Sequence, residues 1–260
     1  MNIIVCIKQV PETTLVQINP ETNTLVREGV KSIINPFDMY AIEEGVRLKE
    51  KCGGKVLVLT MGPPQAEAAL REAISMGADE GILICDKAFA GSDTWVTSFT
   101  LSEAIKKIGV FDLILCGKQA SDGDTAQVGP GISAHLDIPQ VTYVKKIEEI
   151  KERSLRVERM MEEGFEVIET PLPALLTVVK EINEPRLPSL KGLMRSKSAK
   201  IILWSQKELN LDPQKIGLCG SPTQVIKIFT PPPRQGGVML RGDAQEVAEK
   251  LVGLLKTEVP

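Results

Sequence analysis

From 120 to 131 the chain reads "ASDGDTAQVGPG", directly after the apolar run "DLILCG" (112–117). Two carboxylates, a hydroxyl, an amide and three glycines make a loop suited to a ligand that carries both anionic and hydroxyl groups. Gly123, Gly129 and Gly131 let the backbone approach such a ligand, and a helix beginning near 127–129 points its free N–H groups and positive dipole end into the turn. That end suits a phosphate. Asp122 and Asp124 repel phosphate, yet they accept hydrogen bonds from ribose hydroxyls or an adenine amino group, while Thr125 and Gln127 add side-chain donors. A nucleotide combines both demands. Aspartates at this spacing also serve as turn formers and helix caps, so the residue pattern alone leaves both readings open. No GxGxxG, GxxxxGK[ST] or SGGxDS sequence is present, which weakens the usual dinucleotide and ATP-cleaving readings.

Other chemistry has little material. The single histidine, His135, is expected to be a structural helix residue, and without HExxH or a Cys/His cluster a metal site or a histidine-based triad has little to draw on. Cys6, Cys52, Cys85, Cys116 and Cys219 are widely spaced with no CxxC pair, as reduced, packed thiols are. A net charge of −3 without long basic runs argues against nucleic acid. No apolar stretch approaches the roughly 20 residues that span a bilayer, and the start "MNIIVCIKQV" reads as a buried strand rather than a signal, so a cytoplasmic protein with no membrane insertion is expected.

Such a loop needs a rigid frame. "IIVCIK" (3–8), "KVLVLTMG" (55–62), "GILICD" (81–86) and "DLILCG" are apolar on both faces, as buried parallel strands are. Helical patterns separate them: 36–52, 63–78 with prolines at its start, and 92–109 with Ser92 as the expected cap. The alternation predicts an α/β sheet covered by helices on both faces, whose ligands sit at the carboxyl ends of the strands. Four turns lie there: 8–11, 60–65, 87–98 and the loop already described. "VQINPETNTLVRE" (16–28) predicts a small hairpin. After about residue 140, "VTYVKKIEEI", "SLRVERMMEE" and "FEVIETPLPALLTVV" alternate as antiparallel strands would. Beyond Glu184 the chain is rich in proline and basic residues, and "FTPPPRQGG" (229–237) predicts an extended linker. One amphipathic helix follows over 243–256, with Val247, Leu251 and Leu254 or Leu255 on one face. The expected division is a domain over 1–228 and an arm over 229–260 that docks elsewhere.

The segments "CIKQVP" (6–11), "INPFD" (34–38), "TMGPPQA" (60–66), "SMGAD" (75–79), "AGSDTWVTSFTLSEAI" (90–105), "GKQASDGDTAQVGPGISAHLDIPQVT" (117–142) and "VERMMEEGFEVIETPLPALLTV" (157–178) resemble the small, beta subunit of electron-transfer flavoproteins. The last is the most specific, through Arg159, Glu162, Gly164, Glu166, Pro173 and Thr177. The resemblance spans nearly the whole chain. It implies a three-layer α/β/α fold of the adenine nucleotide alpha hydrolase-like kind, with a mostly parallel sheet, an antiparallel extension and a C-terminal arm. It also implies a non-enzymatic half of a heterodimer, whose larger alpha subunit carries FAD in a flavin domain shared by both C-terminal parts.

Beta subunits of simple carriers hold AMP, whereas those of bifurcating proteins hold a second FAD that takes a hydride from NADH. "DGDTAQVGP" (122–130) with "GSDTWVTS" (91–98) is similar to the bifurcating group. That implies one electron passing to ferredoxin or flavodoxin, and the other, through the alpha-subunit FAD, to an acyl-CoA, enoyl-CoA or 2-hydroxyacid dehydrogenase. The implied cofactor contacts are Cys6 and Lys8 at the first strand end, Asn35 and Asp38 facing the adenosine, and Met61 and Gly62 as a lip for the nicotinamide. Thr94 and Thr97 stand one turn apart, and Asp122, Gly123, Asp124, Thr125, Ala126, Gln127, Val128, Gly129 and Pro130 surround ribose and diphosphate. Each threonine has the alternative of a capping or back-bonding hydroxyl. No catalytic acid or base is demanded, because hydride transfer is the cofactors' own chemistry. No basic residue is evident in the loop itself. The stretch 183–200 looks like the family's recognition loop for a dehydrogenase, with Leu190 as an apolar anchor in a basic setting; the alternative is a core leucine beneath a basic surface.

Overall fold

The computed structural model describes residues 1–12, 18–19, 24–25, 31–227 and 237–258. The chain opens with β1 (Asn2–Cys6), β2 (Gln9–Pro11), β3 (Ile18–Asn19), β4 (Thr24–Leu25), β5 (Ser32–Ile34) and α1 (Pro36–Cys52). Then come β6 (Lys55–Met61), α2 (Glu67–Met76), β7 (Glu80–Ile84), α3 (Thr94–Ile108), β8 (Leu113–Gly117) and α4 (Val128–Leu136). The second half adds β9 (Gln140–Ile150), β10 (Ser154–Met161), β11 (Gly164–Pro171), β12 (Ala174–Val178), α5 (Leu190–Ser198), β13 (Ile201–Trp204), α6 (Gly217–Gly220) and α7 (Ala244–Glu258). The predicted hairpin near the start is present where Ile18–Asn19 pairs antiparallel with Thr24–Leu25. Its remaining residues and most of the predicted linker, 229–236, lie outside the described residues.

The strands that read as apolar on both faces form the middle of one sheet, in the order β11-β10-β9-β12-β8-β1-β6-β7-β13. From β9 to β13 neighbouring strands run parallel, and β10 and β11 extend the sheet as an antiparallel hairpin. Alternation sorts the side chains into two cores. Ile3 and Val5 pack with Ile42 and Val46 of α1 and with Leu70 and Ala73 of α2. Ile4 and Cys6 pack with Val96, Leu101 and Ile105 of α3 and with Ile132 of α4. The result is the three-layer arrangement expected.

Three expectations need correction. "ALLTV" is not the tail of an antiparallel strand: β12 runs parallel between β8 and β9, and all five of its residues are buried. Pro171 ends β11 and Pro173 lies between the two strands, and the apolar character of β12 on both faces is that of a covered parallel strand. Ser92 does not cap α3; Asp93 does, accepting a hydrogen bond from the Val96 N–H, while the Ser92 hydroxyl donates to the Phe89 carbonyl. The stretch 183–200 is not a continuous loop, because Ser189 caps α5 by accepting from the Gly192 N–H. Helix α5 packs on α2, and each helix serves the other's C-terminal carbonyls: Arg195 donates to Ile74 and Ala78, and Arg71 donates to Ser196.

Candidate functional site

Strand β1 has β6 on one side and β8 on the other. From β1 the chain builds outward through β6 and β7, then crosses back through α3 to β8. That reversal opens a crevice at the carboxyl ends of β1 and β8, the place where ligands bind in open α/β sheets. Two buried side chains from the start of α1 fasten its walls. The Asp38 carboxylate accepts from the Lys8 N–H (2.7 Å) and the Gly117 N–H (3.2 Å), so one group joins the ends of both strands. The Asn35 side chain donates to the Gln119 carbonyl (2.8 Å) and accepts from the Ser121 N–H (3.0 Å), and its own N–H donates to the Lys8 carbonyl (2.8 Å). Burial pushes the Asp38 carboxyl up to about 7, against the lowering effect of the Lys8 and Gly117 N–H groups, the Asn35 side chain and the Lys8 charge.

The loop beyond Ser121 is shaped by its own polar groups. Lys8 Nζ meets both Asp122 oxygens, at 2.6 and 2.8 Å, and Gln119 donates to Asp124. Asp124 and Ala126 adopt left-handed backbone at φ 53° and 54°. For Ala126 this conformation costs about 1 kcal/mol or more, so the surrounding contacts must hold it. Thr94 Oγ1 donates to Gln127 Oε1 (3.0 Å) and ties the first turn of α3 to that of α4. Gln127 leaves α4 without a side-chain cap, so the N–H groups of its first turn face the crevice end with no side-chain acceptor.

The other sequence-selected residues divide. A Cβ on Gly129 would lie 2.7 Å from Thr177 Cγ2, and one on Gly131 would lie 2.5 Å from Ser98 Oγ, so these glycines let α4 pack on β12 and α3. Gly123 faces open space. Met61 ends β6 beside β1 and Gly62 follows it, its N–H donating to the Ile84 carbonyl (3.0 Å). Thr97 is partly buried one turn beyond Thr94. Cys6 is buried on the α3/α4 side opposite Cys116, its register partner, and thus lies below the crevice; the Cys6 contact, together with burial, pushes the Cys116 thiol well up. Leu190 belongs to another surface: it starts α5 and is 82% exposed, which removes the core alternative.

The loop's basic partners come from outside 120–131, where the sequence has none. Lys8 reaches it from β1, and Lys118, absent from the sequence-selected set, opens it. Lys118 Nζ lies 5.6 Å from the Phe37 ring and 5.3 Å from the Tyr143 ring, within cation–π range. It borders a cleft of about 1020 Å³ that is also lined by Arg159, Phe165 and Lys180. Its position just past the end of a parallel strand was the available signal.

A family model described as "Electron transfer flavoprotein domain" matches residues 22–209. A protein from Thermoanaerobacterium thermosaccharolyticum, named electron transfer flavoprotein subunit beta, is 52% identical over 258 residues, covering 99% of this chain and 98% of its own. The chain belongs to the electron transfer flavoprotein family, among its beta subunits. Other relatives carry other names. One is the caffeyl-CoA reductase-Etf complex subunit CarD of Acetobacterium woodii, 51% identical over 98% of both chains. Another is the protein FixA of Azotobacter vinelandii, 46% identical over 100% of this chain and 96% of its own. The flavoprotein match spans both the crevice loop and the β10–β11 hairpin. Among the described residues no helix is long and apolar enough to cross a membrane, and no His/Cys/Asp/Glu group is arranged to hold a metal ion.

Proposed function

We propose that this chain is the FAD-holding beta subunit of an electron-bifurcating flavoprotein that pairs with an alpha subunit. Bound FAD would supply the redox chemistry, accepting a hydride from NADH and parting two electrons between ferredoxin or flavodoxin and, through the alpha-subunit FAD, a flavin dehydrogenase. The observation that carries this reading is the uncapped start of α4 at a switch-point loop pinned by buried Asn35 and Asp38. Its N–H groups suit a diphosphate, and the Thr125 hydroxyl and the Gln127 amide nitrogen, whose oxygen already accepts from Thr94, supply further donors. Asp122 and Asp124 suit ribose hydroxyls, and Lys8 offsets the Asp122 charge so that a phosphate is not repelled. Asn35 and Asp38 act by holding the loop, since their side chains are spent on backbone groups. Gly62 leaves a low lip beside β1 for a nicotinamide.

The partner dehydrogenase acts on an acyl-CoA, enoyl-CoA or 2-hydroxyacid; the CarD relative's place in a caffeyl-CoA reductase complex favours a CoA thioester. The same crevice also suits AMP, which shares the adenosine and one phosphate, and an AMP-holding carrier subunit is the second reading. Extraction of nucleotides from the purified heterodimer separates the two. Two FAD and no AMP per heterodimer is expected; one FAD and one AMP sinks the bifurcating reading. Replacing Asp122 or Thr125 with a bulky residue should remove the nucleotide held here and spare the alpha-subunit FAD. Retention of both nucleotides in those variants would place the site elsewhere.

A further inference from the structure

The N-terminal cap of α3 does more than close a helix. Asp93 Oδ1 accepts from the Val96 N–H at 3.0 Å, while its second oxygen, Oδ2, accepts from the Thr223 N–H (3.0 Å) and the Thr223 hydroxyl (2.8 Å). The Asp93 N–H donates to Ser221 Oγ (2.9 Å), the Ser221 hydroxyl donates to the Gly217 carbonyl (2.7 Å), and the Leu218 N–H donates to the Ala90 carbonyl (3.0 Å). The segment 217–223 is thereby fastened to the loop that leads into α3. Burial alone would raise the Asp93 carboxyl, but the Val96 N–H and both Thr223 donors outweigh it and hold it below the ordinary aspartate range.

What lies on each side of this clasp gives it meaning. Thr94, the next residue, is the one whose hydroxyl joins Gln127 at the start of α4. Thr223 stands where the chain leaves the sheet domain: Val225 and Ile226, two and three residues on, are 79% and 89% exposed, and the only described helix beyond them is α7. One carboxylate therefore stands between the nucleotide crevice and the root of the C-terminal arm.

We propose that Asp93 is a positioning residue that couples the two, so that filling the crevice tightens the Thr223 clasp and a closed clasp holds Thr94 and Gln127 in place for the nucleotide. This rests on the crevice being the nucleotide site. Coupling between binding sites is reciprocal, so each half predicts the other. Asp93→Asn isolates it: an amide oxygen can still cap Val96, but the amide nitrogen cannot accept from the Thr223 N–H.

The test uses the full heterodimer, stripped of the nucleotide held by this subunit and titrated with FAD or with AMP, followed by amide hydrogen exchange. In the unaltered protein, addition of either nucleotide should slow exchange at 221–224 as well as at 119–129. Asp93→Asn should exchange about tenfold faster at Thr223, the scale of a lost charge-assisted hydrogen bond, and should bind the nucleotide several-fold more weakly. Thr223→Val, which keeps the N–H and loses only the hydroxyl, should fall between. Exchange at 221–224 that ignores the nucleotide, while 119–129 responds, overturns the coupling and leaves the site standing. If 119–129 fails to respond, the site itself is misplaced and the coupling falls with it. Normal nucleotide affinity in Asp93→Asn with fast exchange at Thr223 also overturns the coupling.

Discussion

Asn35→Ala should weaken nucleotide binding without touching the nucleotide. The side chain makes two hydrogen bonds, to the Gln119 carbonyl and from the Ser121 N–H, and both end on loop backbone rather than on the sheet. At about 0.5–1.5 kcal/mol each, their loss removes about 1–3 kcal/mol from the closed loop. Both backbone groups lie in partly or fully exposed residues and can turn to water, so the loss appears as local opening rather than global unfolding. A nucleotide that binds only the closed loop then binds about 5–150-fold more weakly. Asn35→Asp sharpens the argument. It keeps the acceptor for Ser121, yet it turns a carboxylate oxygen toward the Gln119 carbonyl close to buried Asp38, so it should bind no better than alanine. Calorimetric titration of nucleotide-stripped heterodimers with FAD and with AMP measures all three proteins. Affinity within twofold of the unaltered protein in Asn35→Ala would refute the view that Asn35 is the pin.

Two further outcomes are expected. Asp38 has its carboxyl raised to about 7 by burial from the ordinary 3.8, so the folded state holds a proton that the unfolded state has released, and stability falls as pH rises from about 4 to about 7. The drop is on the order of 4 kcal/mol; denaturant melts across that window should be flatter in Asp38→Asn, and equal slopes in both proteins would contradict the assignment. Leu190→Ala should change stability by no more than about 0.5 kcal/mol, because the side chain is 82% exposed, while weakening dehydrogenase binding by about 1–3 kcal/mol; a lowered melting temperature with normal electron transfer would remove it from the docking surface.

The frame of the crevice was legible because β1, β6, β7 and β8 carry branched apolar residues on both faces, a pattern set by local sequence and the two covering layers. β12 was harder, since the prolines before it gave "ALLTV" the look of a continuing hairpin, and its place between β8 and β9 depends on pairing with Leu113 some sixty residues earlier. Helix α5 and β13 were hidden by a basic, proline-rich neighbourhood; what makes α5 a helix is Ser189 as cap and an exchange of arginines with α2. In the site, the loop residues announced themselves by type. The duties of Asn35, Asp38 and Asp93 did not, because their partners are mostly backbone groups remote in sequence, and backbone groups leave no trace in a side-chain pattern.

The placement of β8 beside β1 also dictates when the crevice can exist. β1 pairs first in sequence with β6, but its other edge waits for residues 113–116, and Asn35 and Asp38 wait for 117–121. A chain emerging from the ribosome has more than a hundred residues in hand before the crevice has a second wall, and contacts of such long range form late and slowly. A nucleotide therefore cannot serve as a template for early folding. It can only bind the finished seam between β1 and β8, and by mass action it should shift the balance against reopening that seam.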